Sequence, residues 1–328
     1  MEEKEKPLEN LPIITFKNQP KLSPYEVDAK FNERRMALIP HIEEYISSND
    51  RFKGKEVSVT FFDKGVSSLV GFIETPDEKL VLKIALSLAH SLGSAEFLKA
   101  WEVAGVRVPH VIDSGMFGEH SFDLIEYIDA PVLSTAYSKE EIEAKGIRFQ
   151  MGATLRKMHS PRALGFGRLL EGKAEFENFR DWLYSAEVEK KIKYVLDNNL
   201  LEGAGGSIEK AREVLLRFAG EGKESSFCHD DFGMSNIFAT DPITVFDPNP
   251  RFNIGYLDLG KTIANQISST GSFSTSDEII NGYFGGEPYD REALNASILL
   301  NIHLKLPYQH KTNRVNKIEN YKKYLSSI

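Results

Sequence analysis

The sequence predicts an α+β protein of two lobes, a small antiparallel sheet holding one helix, followed by a larger, mainly helical lobe. Three observations predict this. Apolar and polar residues alternate between Glu56 and Ile128, the period of half-buried strands, while beyond Pro131 the apolar positions recur at helical spacing. The third is length, since 328 residues exceed the roughly 100–200 of one compact domain. The implied division is an N-terminal arm and capping helix over 1–50, a first lobe over 51–128 and a second over 129–328.

Residues 1–30 are polar, carry prolines at 7, 12, 20 and 24, and show no period, so they read as a loosely packed arm. A helical pattern over 31–48 follows, kinked or split by Pro40. Strands are expected at 57–62, 69–74 and 79–85. Thr75-Pro76-Asp77-Glu78 joins the last two as a hairpin turn, proline presetting the dihedral and Asp77 bonding back to the backbone. A helix over 94–104 should stop at Gly105 as a left-handed cap. Two more strands, at 111–113 and 122–128, complete the sheet.

In the second lobe, Ser138 and Glu141 have capping-box spacing and open a predicted long helix to Met158, with Ile147, Met151, Leu155 and Met158 as its buried stripe. Further helices are expected over 176–200 and 207–219. Short strands at 227–229, 236–239 and 243–246 read as small hairpins laid on a helical lobe. A polar stretch over 268–276 precedes a helical C-terminus.

Composition excludes several classes. A net charge of -8 argues against a general nucleic-acid binder, whose affinity needs clustered Lys and Arg, and suits a neutral or cationic small substrate. Cys228 is the only cysteine, so neither an intrachain disulfide nor a cysteine-based zinc site can form. With no apolar export signal or membrane span visible, a cytoplasmic protein is expected.

The chemistry concentrates in His229-Asp230-Asp231-Phe232-Gly233-Met234-Ser235-Asn236 and the apolar run that ends at Asp247. Phosphoryl transfer needs a carboxylate to orient the attacking hydroxyl, and an amide and second carboxylate to hold magnesium. Lys83, on the third expected strand, reads alone as a solvated outer-face lysine. Glu96 follows on the next helix, where it could pair with that ammonium and hold it against nucleotide phosphates. The turn with Gly65, Ser67 and Ser68 offers backbone N–H groups and hydroxyls for phosphates, or is a plain hairpin. There is no P-loop and no dinucleotide fingerprint. Glu126, Tyr127 and Ile128 end the sheet where a hinge should sit; their backbone groups could meet an adenine edge, although a buried edge strand would look the same.

Cys228 and His229 are neighbours on an extended strand and point to opposite faces, so they are not a nucleophile and its base. His159 reads as a cap or packing residue. His229-x-Asp231 with a distant His303, and Arg314 beyond it, also has the pattern of a non-haem iron site in a 2-oxoglutarate oxygenase. That chemistry needs a jelly roll, whereas His303 lies in a stretch of helical period, and it leaves Asn236 and Asp247 without a role.

Together these residues resemble the aminoglycoside phosphotransferase and choline kinase group of protein-kinase-like small-molecule kinases. Lys83 within Val-Leu-Lys-Ile, Glu96 within Ser-Ala-Glu-Phe-Leu, the turn Gly105-Val106-Arg107-Val108-Pro109, the helix exit Leu155-Arg156-Lys157-Met158-His159, the loop from His229 to Asn236, Asp247, and Asp258-Leu259 carry the resemblance. It implies a two-lobed kinase-like fold, ATP or GTP as donor, Mg2+, and a small hydroxyl acceptor such as an antibiotic, a sugar or an amino alcohol. By the same resemblance Asp231 is the base, Asn236 and Asp247 bind magnesium, Lys83 held by Glu96 neutralises the α and β phosphates, His229 braces the loop and Asp258 anchors it. A polycationic aminoglycoside suits the acidic chain. A catalytically silent nucleotide-binding relative is the alternative, disfavoured because Lys83, Asp231, Asn236 and Asp247 are all present. Asp230 departs from the group, which commonly has glycine there; its charge could raise the pKa of the base or contact a cationic substrate. Pro248-Asn249-Pro250 after Asp247 stiffens the loop and disfavours an order-disorder switch.

Overall fold

A computed structural model of the chain describes residues 11–23, 29–63, 68–86, 94–170, 172–201 and 204–327. One unit comprises Met1–Leu98 and Pro109–Asp129, the other Lys99–Val108 and Ala130–Ile328.

Up to Asp129 the order is β1 (Ile13–Phe16), α1 (Ala29–Ala37), α2 (Ile39–Ser48), β2 (Glu56–Phe61), β3 (Ser68–Glu74), β4 (Lys79–Ala85), α3 (Ser94–Val103), which passes from the first unit into the second after Leu98, β5 (Val111–Phe117) and β6 (His120–Glu126). The six strands form one sheet in the order β1-β2-β3-β4-β6-β5, antiparallel except for the parallel β1–β2 pair. Alternation places Val57, Val59, Phe61, Leu69, Ile73, Leu80, Leu82 and Ile84 on one face, where Leu38, Ile42 and Ile46 of the α2 region cover them. Each such fully buried side chain contributes roughly 1.5–3 kcal/mol. Lys83 therefore lies on the opposite face, as its place in the alternation requires.

Local chemistry explains the boundaries. Pro40 stands at the start of α2 and splits the 31–48 pattern into two helices. The hairpin turn closes with Thr75 N–H donating to Glu78 O at 3.0 Å, but its side-chain bonds run to the Thr75 hydroxyl from the N–H groups of Asp77 and Glu78, not to Asp77. At the end of α3, Gly105 adopts φ +75°, Val106 N–H reaches Trp101 O and Gly105 N–H reaches Glu102 O, a Schellman cap. The expected arm needs correction. Residues 13–16 are a sheet strand, and Asn18 locks the edge by bonding both the N–H and the C=O of Phe61. Four residues with no fully buried position carry too little pattern to be read as a strand.

The second unit continues with α4 (Leu133–Ala136), α5 (Lys139–Ala144), α6 (Ile147–Met158), β7 (Arg162–Leu164), β8 (Phe166–Leu170), β9 (Lys173–Phe176), α7 (Phe179–Leu183), α8 (Ala186–Asp197), α9 (Ala204–Ala219), β10 (Glu224–Cys228), β11 (Ile237–Phe238), β12 (Thr244–Val245), β13 (Arg251–Asn253), α10 (Gly255–Thr270), α11 (Ser276–Phe284), α12 (Arg291–Lys311) and α13 (Val315–Leu325). Phe166, Phe179, Leu183, Ile192, Leu215, Leu257 and Leu300 form a core from β8 and five of these helices. Gly152 of α6 and Gly282 of α11 let two backbones touch, because an added Cβ would lie 2.0 Å from Ile279 O or 2.1 Å from Phe149 O.

Three expectations are corrected here. The Ser138–Glu141 capping box forms, but the helix it opens ends at Ala144, and Gly146 at φ +59° starts a second helix, α6. The 176–200 helix is instead the end of β9 followed by α7 and α8, capped by Asn178 and Ser185. The segment at 227–229 belongs to a five-stranded sheet of order β7-β10-β13-β8-β9, and only β11 and β12 make the separate small hairpin. Among the described residues no helix is long and apolar enough to cross a membrane.

Candidate active site

Strand β10 delivers the loop. Cys228 pairs with Arg251 of β13, so His229 leaves the sheet edge beside the start of α10. Asp258, in the first turn of α10, accepts the His229 N–H on Oδ2 at 2.6 Å and the Asp230 N–H on Oδ1 at 2.9 Å. His159, the C-cap of α6, donates Nε2–H to the same Oδ2 at 3.1 Å, and its Nδ1 meets the Tyr283 hydroxyl at 2.8 Å. Burial alone would raise the Asp258 pKa, but the hydrogen bond and charge of His159, with His229, hold it below the usual carboxylate range.

His229 ties two segments together. Its Nε2–H donates to Phe246 O at 2.9 Å, its Nδ1 receives the Asp231 N–H at 3.3 Å, and its backbone O receives the Asn249 N–H at 2.9 Å. Phe246 N–H reaches Asn236 O at 3.1 Å. The loop and the segment carrying Asp247 are thereby stitched side by side. The imidazole lies flat against Trp101, ring centres 5.8 Å apart and planes 3° from parallel, and the buried indole donates to Met158 O at 3.0 Å. Arg107 O receives Val245 N–H at 2.9 Å, so the turn after α3 fastens to β12.

Asp231 is exposed. Asn236 Nδ2 donates to Asp231 O at 2.9 Å and to its Oδ2 at 3.1 Å, which leaves the amide oxygen Oδ1 without a hydrogen bond among the described residues. Asp247 is exposed and holds φ +55°. An amide oxygen and an exposed carboxylate, all oxygen and no sulfur or nitrogen, suit a hard cation such as Mg2+.

The iron arrangement is not assembled. His303 is buried in α12, donating Nδ1–H to Leu299 O, and burial lowers its pKa. Among the described residues only His159, Cys228 and Asp258 bring ligand atoms within 4.8 Å of one another, and the hydrogen bonds just described occupy that group. Burial, then the charges of Asp258 and Asp230, push the Cys228 thiol well up, so it is an inert packing residue.

In the first unit Lys83 stands directly opposite Asp123 of β6, a buried carboxylate on the same face. Glu96 is exposed in the first turn of α3. Ser68 opens β3; Gly65 and Ser67 lie outside the described residues. Of the three hinge donors, Glu126 N–H is spent on His110 O and Tyr127 N–H on Lys79 O, while Ile128 N–H has no partner among the described residues.

The family described as APH, phosphotransferase enzyme family, matches residues 58–287. The chain belongs to that family. It is a small-molecule kinase with the kinase-like fold of the aminoglycoside phosphotransferases. A thermostable mutant of aminoglycoside phosphotransferase APH(4)-Ia, solved as a ternary complex with ADP and hygromycin B, has TM-score 0.60 and 15% identity over 83% of this chain and 93% of its own. The Plasmodium vivax ethanolamine kinase has TM-score 0.53 and 13% identity over 96% and 97%. At such identities the likeness is one of fold. No curated protein sequence matches the chain.

In this phosphotransferase the carboxylate next to Asp231 is paired inside the protein. Asp230 holds φ +55°, the left-handed conformation that glycine adopts most freely. Its carboxylate meets Lys261 of α10 at 2.7 Å, Asn249 Nδ2 at 2.9 Å and Arg251 at 3.9 Å, and is engaged inside the protein. The charge of Asp231 supports the charged forms of Lys305 of α12 and Lys317 of α13. Burial, then Lys261, bring the Lys305 ammonium down to about 8, although Asp231 and Asp230 support its charge. Lys261, Lys305, Arg251 and Trp101 escape sequence reading because their positions depend on helix packing, and the one local signal was the apolar face of α3.

Proposed function

We propose that the chain moves the γ-phosphoryl group of ATP, or of GTP, to a hydroxyl of a small molecule. The observation that carries this reading is Asn236, whose amide nitrogen clamps Asp231 while its oxygen is left over beside the segment bearing Asp247. Asp231 orients the acceptor hydroxyl and takes its proton as the new P–O bond forms. Asn236 Oδ1 and the Asp247 carboxylate hold Mg2+, which when bound offsets negative charge on the phosphates. His229, fixed by Asp258 and Trp101, keeps Asp231 and Asn236 in register. In the first unit, the nucleotide-binding groups are Lys83, with Asp123 beside it, Ser68, and the Ile128 N–H for an adenine edge. The acceptor belongs to the helices of the second unit.

The test is a coupled ADP-release assay over hydroxyl compounds with Mg2+ present or chelated. Asp231→Asn should lose about 10²–10⁴ in kcat. Full-rate turnover in that variant sinks the base assignment, and absence of magnesium-dependent ADP release across a broad panel sinks the transfer reading.

A further inference from the structure

We propose that Asp230 is a positioning residue for the magnesium site, its carboxylate holding Asn249 and, through Asn249, the backbone that carries Asp247. The inference rests on the reading of Asn236 and Asp247 as the metal ligands and adds to it the residue that sets one of them in place.

Backbone conformation is the first argument. Among the described residues four non-glycine positions hold positive φ, and two of them are Asp230 and Asp247, each at +55°. That region is unfavourable for a residue with a Cβ, and it persists only where the surroundings over-determine it. Around Asp247 the constraint comes from both sides. Phe246, before it, bonds Asn236 O through its N–H at 3.1 Å and accepts from His229 Nε2 on its O at 2.9 Å. Asn249, after it, bonds His229 O through its N–H at 2.9 Å and donates Nδ2–H to Asp230 Oδ2 at 2.9 Å. Pro248 and Pro250 fix φ on either side of Asn249, so pinning 249 leaves Asp247 little room to rotate. Three of these four bonds end on His229 or Asn236, and the fourth is the contribution of Asp230.

The second argument is how the carboxylate itself is held. Helix α10 grips residue 230 twice. Asp258 Oδ1 accepts its N–H at 2.9 Å, and Lys261, three residues further on the same helix face, meets its Oδ1 at 2.7 Å. Arg251 Nε stands 3.9 Å from Oδ2. The Lys261 and Asp230 side chains are 17% and 25% exposed, so this pair is better shielded from solvent than a surface bridge. With Oδ1 on Lys261 and Oδ2 on Asn249, both oxygens have donors and the charge is offset. Asp230 therefore orients the neighbouring segment without competing for the cation. Asp230→Gly would keep the backbone shape and remove only the acceptor.

The experiment uses the full chain and reads the metal in two ways. Mn2+, as a spectroscopic substitute for Mg2+, is titrated with AMP-PNP present and an AMP-PNP blank subtracted, binding being read from loss of the free-ion electron paramagnetic resonance signal. ADP release at saturating ATP gives the Mg2+ concentration for half-maximal rate. Asp230→Gly and Asn249→Ala should each weaken Mn2+ binding and raise the half-maximal Mg2+ by about tenfold, the scale for a group that orients a metal ligand. The loss of rate should be larger at limiting than at saturating metal. Asp230→Asn, which keeps an oxygen for Asn249, should lie between the parent and Asp230→Gly. The double variant should be no worse than the worse single one, because both remove the same contact. Asn249→Ala leaves the Asp230–Lys261 pair intact and carries the test should Asp230→Gly not fold. Asp247→Ala is the reference. If it binds Mn2+ as the parent does, the metal reading falls and the role of Asp230 falls with it. If it binds weakly while Asp230→Gly and Asn249→Ala match the parent, or if their effects add, the positioning role is overturned and the metal reading stands.

Discussion

Asp258 Oδ2 lies 2.6 Å from the backbone nitrogen of His229, and this one carboxylate also receives Asp230 N–H and the His159 imidazole. Every group around it is a donor, so Asp258→Asn would turn an NH2 toward one of them. We expect a loss of about 3–5 kcal/mol, as for other broken buried pairs, read by urea unfolding at pH 7. The pH dependence should change as well. The folded carboxyl is held below its unfolded value, so its contribution is complete above the unfolded pKa and disappears as pH falls through the lower folded one. The variant should show a flatter acid limb.

Trp101 is both a floor for His229 and a donor to Met158 O. Trp101→Phe keeps a flat ring but leaves that buried carbonyl unsatisfied, costing about 1–3 kcal/mol. Trp101→Ala should cost about 3–5 kcal/mol and lower kcat as well, because His229 loses its support. Equal kcat in the parent, Phe and Ala proteins would show that the stacking has no bearing on the loop.

Asp230 combines a left-handed backbone with an ion pair. Both Asp230→Ala and Asp230→Gly remove the carboxylate, but only glycine is free of the conformational penalty. The glycine variant should therefore be more stable than the alanine variant by about 1 kcal/mol, measured by chemical denaturation.

Lys305 gives a pH signature. The charges of Lys261 and Lys317 oppose its ammonium form, and those of Asp231 and Asp230 support it. Folded, it gives up its proton near pH 8, while in the unfolded chain it holds it to about 10.4. Between those values the unfolded state binds more protons, so stability rises with pH. Lys305→Met should abolish that rise and stabilise the protein at pH 7 by on the order of 1–3 kcal/mol.

Much of the first sheet is legible in the sequence because one face is buried, so Val57 to Ile84 alternate and Lys83 falls opposite the core by parity. The loop from His229 to Asn236 is legible because its spacing is set by bonds within itself. Strands β7 and β13 are three residues long, too short to show a period. Asp123 is missed as a neighbour of Lys83 because cross-strand register, not spacing along the chain, sets it there. Asp230 could not be placed at all, since its partners sit at positions 249, 251 and 261 and only the return of β13 into α10 brings them back.

That return divides the second unit into two parts with different freedoms. From His229 to Asp258, nearly every polar atom is claimed by another in the same stretch, and a change to one disturbs several. Double substitutions within that stretch should therefore be non-additive, whereas pairs drawn from separate parts of the helical core should add.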